Sequence, residues 1–170
     1  MIVVADSSPF VALINLVEVD LLRRLFTTVL VPPPVLDELR SLRRPAAVRR
    51  FAAEPPSWVE VREPQLVEAI PGLDRGEESA VALALELRAD FILIDEIRGR
   101  RAATERHLRV AGTVGVLERA ADEGFIDLRS AFERLKGTDF WIDPAILDQR
   151  LSAFLQRRSR EKGRDQNPGR

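Results

Sequence analysis

Ile2-Val3-Val4-Ala5-Asp6-Ser7-Ser8-Pro9 runs four apolar residues straight into a carboxylate, two hydroxyls and a helix-starting proline. An unbroken apolar run of this length, bounded by Ser and Pro, suits a strand covered on both faces, as in parallel sheets. Asp6 then falls at the carboxyl end of the strand, where open α/β sheets place their ligands. A second reading is equally open at this point: Asp6, Ser7 or Ser8 caps the helix that Pro9 begins.

The pattern recurs. Phe91-Ile92-Leu93-Ile94 runs into Asp95-Glu96 and then into the basic stretch Arg98-Gly99-Arg100-Arg101. Two such strands in one parallel sheet share an edge at their carboxyl ends, which brings Asp6 and Asp95 within reach of a common hard cation. Carboxylates crowded without a counter-charge repel and raise each other's pKa.

Between these strands, helical phase singles out two more acids. Thr27 to Val31 predicts a strand, stopped by Pro32-Pro33-Pro34, which pre-sets a helix running to about Leu42. Val35, Leu36, Leu39 and Leu42 form its buried stripe; Glu38 falls on the border of that stripe and Asp37 on the far side. An exposed acid favoured by the helix dipole would account for Glu38 as well. Asp74-Arg75-Gly76-Glu77 opens a helix to about Arg88, with Asp74 and Glu77 at capping-box spacing. Yet Glu77 centres on the stripe of Ala80, Val81 and Ala84, whereas Glu78 is turned about 100° away, and an acid aimed at a sheet needs a counterpart such as a metal.

The remaining elements follow the same alternation. Helices are expected over Phe10–Leu16, Val17–Phe26, Leu42–Phe51, Arg98–His107, Val114–Asp122, Leu128–Leu135 and Pro144–Leu155, and strands at Trp58–Val61 and Arg109–Val110. Strands alternating with helices imply βαβ units and a mostly parallel sheet. The length of 170 residues fits one domain, taken as residues 1–155, and the basic stretch 156–170 has almost no apolar residues and is expected to be disordered. With 45% hydrophobic and 31% charged residues and a formal net charge of −1, nothing global points to a polyanion or a membrane. The absence of cysteine excludes disulfides and thiolate chemistry, and His107 is the only histidine, which excludes His-rich zinc sites; it is expected at the surface. No apolar run reaches the roughly 18 residues of a membrane span, so a soluble, intracellular protein of the cytoplasm is expected.

Taken in order, VVADSSPFVALINL, VPPPVLDEL, GLDRGEESAVALALEL, FILIDEIRGRRAA and VAGTVGVLERAADEGFI resemble the PIN-domain family, in particular the VapC-like ribonuclease toxins, over roughly residues 1–155. The resemblance implies a three-layer α/β sandwich with a central sheet flanked by helices. It implies a metal-dependent RNA endonuclease whose acids surround one or two Mg²⁺ or Mn²⁺ ions. Carried over by position, those acids are Asp6, Glu38, Glu77 and Asp95, with Ser8 as the hydroxyl after the first aspartate. Asp6 is expected to be the central ligand, Asp95 and Glu77 further ligands, and Glu38 a ligand or proton acceptor. Relatives often carry a second aspartate where this chain has Glu96, which is one methylene longer and an additional candidate ligand. Ser8, Arg98, Arg100 and Arg101 are candidate substrate contacts, since an acidic edge repels RNA unless metal and arginine offset it; an ordinary solvated helix face would also explain the arginines. The toxin relatives imply a small antitoxin partner and a homodimer, for which the apolar stretch Phe10–Phe26 is the expected surface.

Other classes fit less well. A receiver domain needs a lysine near its acids, and Lys136 and Lys162 are far downstream. A haloacid-dehalogenase-like phosphatase needs an aspartate where Ser8 stands. A PIN-like binding module with little activity is the surviving alternative.

Overall fold

Branched side chains at Val3, Val4, Val29, Val31 and Ile92 stiffen short extended segments that are buried on both sides. The computed structural model describes the backbone of residues 1–165 and the side chains of residues 1–161. Its strands are β1 (Val3–Ala5), β2 (Val29–Val31), β3 (Val59–Val61), β4 (Phe91–Leu93) and β5 (Val110–Ala111). They form one sheet in the order β3-β2-β1-β4-β5, with every pairing parallel.

Each return crossing is helical, as parallel pairing requires. The helices are α1 (Ser7–Asn15), α2 (Asp20–Phe26), α3 (Pro33–Arg40), α4 (Ala46–Ala53), α5 (Arg75–Glu86), α6 (Ile97–Glu105), α7 (Thr113–Asp122), α8 (Leu128–Lys136) and α9 (Pro144–Asp165). They flank the sheet in a three-layer α/β sandwich. The chain builds outward from β1 through β2 to β3, then returns to β1's other side for β4 and β5. The strand order therefore reverses between β1 and β4, and the crevice beyond their carboxyl ends is where such sheets bind ligands. Ala5 lies opposite Leu93, so the residues that follow the two strands emerge together.

One core fills the sandwich. Phe10 stacks near Trp58 (centroids 6.4 Å) and Phe51 (5.5 Å), tying α1 and α4 to β3. The expected surplus of apolar surface on Phe10–Phe26 is corrected: Phe10, Leu13, Leu16, Leu21, Leu22 and Phe26 are buried, and Val17 alone of this stretch's large apolar residues is fully exposed. Two boundaries also move. Asp6 caps α1, so that helix starts at Ser7, and Val17 adopts φ 61°, which separates α1 from α2.

The tail is a second correction, because α9 continues to Asp165 instead of ending near Leu155. Two of its basic residues have partners in the fold. Arg157 pairs with Asp122 at 2.8 Å, and Arg158 donates to the Asp122 carbonyl at 3.1 Å, at the end of α7 where the helix dipole favours cations. Residues 166–170 lie outside the described residues. Among the described residues, no helix is long and apolar enough to cross a membrane.

Candidate active site

The Asp6 backbone N–H donates to the Leu93 carbonyl at 2.9 Å, extending the β1–β4 ladder into the crevice. The residue is 2% exposed. Oδ2 accepts from the Ser8 N–H at 3.3 Å and the Ser8 hydroxyl at 2.9 Å, whereas Oδ1 is buried with no partner. The cap reading of Asp6 holds for one oxygen, which caps α1, while the other is buried without a partner. Ser8 does not stand free to meet substrate, because its hydroxyl also accepts the Asp95 N–H at 3.2 Å. It links the two aspartates.

Glu77 repeats this division of labour. The capping box forms, with Oε2 accepting the Asp74 N–H at 3.0 Å and Asp74 Oδ1 accepting the Glu77 N–H at 2.9 Å. The other oxygen, Oε1, is buried and unpartnered. Glu78 is turned away as its phase predicts and accepts the Ile70 N–H at 2.7 Å. Helix α6 can approach Glu77 only because residue 99 is glycine: a Cβ there would lie 2.8 Å from Glu77 Oε1 and 2.2 Å from Ile94 Cδ1.

Glu38 and Asp95 complete the set. Glu38 turns inward and accepts the Ser7 hydroxyl at 2.8 Å, while Asp37 stays exposed beside Arg40. Glu38 Oε1 lies against Gly76, where an added Cβ would come within 2.0 Å. Asp95 accepts the Thr113 N–H at 2.7 Å through Oδ1 and the Thr113 hydroxyl at 2.6 Å through Oδ2. Thr113, at the start of α7, is wholly buried, so it fixes the orientation of that carboxylate.

Burial and mutual repulsion act on all four acids. Desolvation is the largest influence on each and raises the carboxyl above its ordinary value. Glu77 is pushed up to about 7, with Asp74, Asp6 and Glu96 adding repulsion. The charge on Asp74 raises Asp6, Glu38 and Glu77, and that on Asp6 raises Glu38, Glu77 and Asp95. Hydrogen bonds from Thr113 and the nearby charge of Arg100 oppose the rise at Asp95.

The remaining candidates separate. Glu96 is exposed at the start of α6 and reaches the group only through its repulsion of Glu77. Arg98 is exposed and lies beside Gly72. Arg100 donates to the Ile94 carbonyl at 2.9 Å, which makes it a brace at the end of β4. Arg101 pairs with Glu105 at 2.8 Å, and two residues on from Gly99 it faces about 200° away from Glu77. For Arg101 the solvated-face reading holds, and it is not brought to the site. Sequence reasoning misses Ser7, Asp74, Thr113 and Arg44 as members of the site. Ser7 and Asp74 read along the chain only as caps, and the signal for Thr113 is its place directly after a strand and a glycine.

A family model for the PIN domain, DUF3368, matches residues 2–156. The chain belongs to the PIN-domain family. No curated protein matches it significantly. Its fold is similar to that of a PilT N-terminus domain protein, SSO1118, from the hyperthermophilic archaeon Sulfolobus solfataricus P2. The TM-score is 0.55 at 15% identity, covering 71% of this chain and 93% of the other. At that identity the likeness concerns the fold, which is the nuclease-type fold of PIN domains.

PIN domains typically use divalent metals, and the donor set of this PIN domain fits a hard cation. It presents oxygen ligands only, and two of them, Asp6 Oδ1 and Glu77 Oε1, are buried without any partner, a costly arrangement that a cation would relieve. Among the described residues, no three His, Cys, Asp or Glu side chains are grouped as ligands of a single ion. Each carboxylate is held by donors of its own, from Ser7, Ser8, the Asp74 N–H and Thr113.

Proposed function

We propose that this PIN domain is a divalent-metal-dependent endoribonuclease that hydrolyses RNA phosphodiester bonds, and that it serves as the toxin of a toxin–antitoxin pair. The observation that carries the catalytic reading is the pair of buried, unpartnered carboxylate oxygens on Asp6 and Glu77 at the switch point of the sheet. The toxin role, the small antitoxin, the homodimer and a cytoplasmic location rest on the resemblance to VapC-like toxins.

Asp6, Glu77 and Asp95 would hold one or two Mg²⁺ or Mn²⁺ ions, which supply Lewis-acid polarisation of the phosphate and acidification of water. The chain's own groups do the rest. Ser8 and Thr113 lock the rotamers of Asp6 and Asp95, so that their oxygens are set before substrate arrives. Ser7 occupies Glu38 Oε2 and leaves Oε1 to accept a proton from the attacking water. Burial raises the pKa of Glu38, which improves a carboxylate as a general base near neutral pH.

The test is cleavage of a single-stranded oligoribonucleotide with Mg²⁺ or Mn²⁺ and with EDTA, followed by sequencing of RNA ends after brief induction in cells. Wild type should cleave only with metal, and Asp6→Asn should be inactive with metal present. Cleavage by Asp6→Asn at the wild-type rate would refute the assignment, and a wild type that cleaves with neither metal would favour the reading as a binding module.

A further inference from the structure

Residues 40–53 hold five arginines and no acid, in a chain whose net charge is −1. This segment forms the turn from α3 into α4, on the Glu38 side of the crevice. Arg40 is spent within the fold, donating to the Ala52 carbonyl at 3.0 Å and lying 3.7 Å from Asp37. Arg44 is not. It is half-buried, and its guanidinium makes one long contact, 3.4 Å to the Ser7 hydroxyl, which itself donates to Glu38. Among the described residues, neither Arg43 nor Arg44 has a carboxylate within ion-pair distance.

Arg44 is nonetheless close enough for its charge to act on Glu38. The arginines of α6 are committed or peripheral: Arg100 braces the Ile94 carbonyl, Arg101 pairs with Glu105, and Arg98 lies exposed beside Gly72. A guanidinium close to Glu38 and yet unpaired with any carboxylate among the described residues retains its donors for an anion that enters the crevice. A planar fork of donors suits a phosphate, which accepts two parallel hydrogen bonds.

We infer that Arg44 contacts a backbone phosphate of the nucleic-acid strand next to the carboxylates, and that the exposed Arg43 continues the track over the α3–α4 turn. The inference rests on the nuclease reading above and adds the flank from which the strand enters. In this arrangement Ser7 has two roles. It orients Glu38 and holds the Arg44 side chain over the crevice until phosphate replaces it.

The experiment measures binding apart from catalysis. Fluorescence anisotropy of a short fluorescein-labelled oligouridylate is followed in EDTA over roughly 25–200 mM salt, for wild type, Arg44→Gln, Arg44→Lys, Arg43→Gln and Arg101→Gln. Removing one arginine–phosphate pairing lowers the log–log salt slope by about 0.7 for single strands. Arg44→Gln should show that drop and bind roughly five- to tenfold more weakly at low salt, Arg43→Gln should show a smaller loss, and Arg44→Lys should keep the slope. Arg101→Gln, on the far face of α6, should match wild type. Thermal melting confirms folding of each variant, and Arg44→Lys reports on the charge alone if Arg44→Gln melts early. Wild-type slope and affinity in Arg44→Gln, with wild type still cleaving in Mn²⁺, would overturn the inference and leave the nuclease reading standing. Equal losses in Arg101→Gln would also overturn it, since binding would then follow diffuse surface charge. Polyglutamate competing as well as oligouridylate would replace the nucleic acid with an acidic protein partner. Wild type that neither binds nor cleaves would remove both proposals.

Discussion

Replacing Glu77 by glutamine removes a buried charge while keeping the oxygen that the capping box needs, since Gln serves at that position as well as Glu. Folding raises the Glu77 carboxyl from 4.5 to about 7, mainly by desolvation. The native state therefore holds this proton more tightly than the unfolded chain does. Below about pH 4.5 the group costs the fold nothing; the cost grows as pH rises towards 7 and is constant above it. At 1.36 kcal/mol per pKa unit the ceiling is about 3 kcal/mol, and water in the crevice reduces this to roughly 1–2 kcal/mol. In EDTA at pH 8, Glu77→Gln should then melt about 3–6 °C above wild type, at roughly 2–4 °C per kcal/mol for a chain of this size. At pH 4.5 the advantage should vanish. Differential scanning fluorimetry at the two pH values, with urea unfolding as a check, reads this directly. A variant that melts with wild type at both pH values would show that Glu77 serves the fold solely as a cap, and would refute the argument from its buried, unpartnered oxygen.

Asp6→Asn in EDTA near pH 7 should melt at or above the wild-type temperature, while Mg²⁺ or Mn²⁺ should raise the wild-type melting temperature and move the variant much less; the metal response is the deciding measurement. Metal affinity of the wild type should increase with pH up to about 7, because Glu77 must lose its proton on binding, and calorimetry in two buffers of different ionisation enthalpy should detect proton release below that pH. Glu38→Gln should lose at least 10²-fold in cleavage, within the usual range for a general base, whereas Asp37→Asn, exposed beside Arg40, should stay near wild type; equal losses would sink the helical-phase reasoning. Gly76→Ala should displace the Glu38 carboxylate, whose Oε1 lies 2.0 Å from the added Cβ, and cut activity severalfold with a stability change under about 1 kcal/mol, since alanine is the better helix former. Melting curves paired with the cleavage assay test it.

Local chemistry makes much of this protein legible in the order of its residues. Apolar runs of strand length mark β1 and β4, and a period of 3.6 separates Glu38 from Asp37 and Glu77 from Glu78, because helical phase depends on neighbours alone. Even the competing readings of Asp6 and Glu77 as caps are correct, since a carboxylate has two oxygens and each of these residues caps with one.

Tertiary structure alone decided the strand order β3-β2-β1-β4-β5, and with it the fact that Asp6 and Asp95 meet across adjacent strands. Nothing in a parallel-strand pattern says which strands are neighbours, because every strand reads as the same apolar run. The partners of the acids were hidden for a related reason. Ser7 reaches Glu38 across 31 residues, Thr113 reaches Asp95 across 18, and Arg44 reaches Ser7 across 37. Such pairings leave no periodic trace, since they depend on which helix ends the sheet brings to one edge. The length of α9 belongs here too: a polar, basic segment reads as disordered in isolation, and it is the Asp122 carboxylate and the carbonyl end of α7, both more than 30 residues away, that give Arg157 and Arg158 their partners.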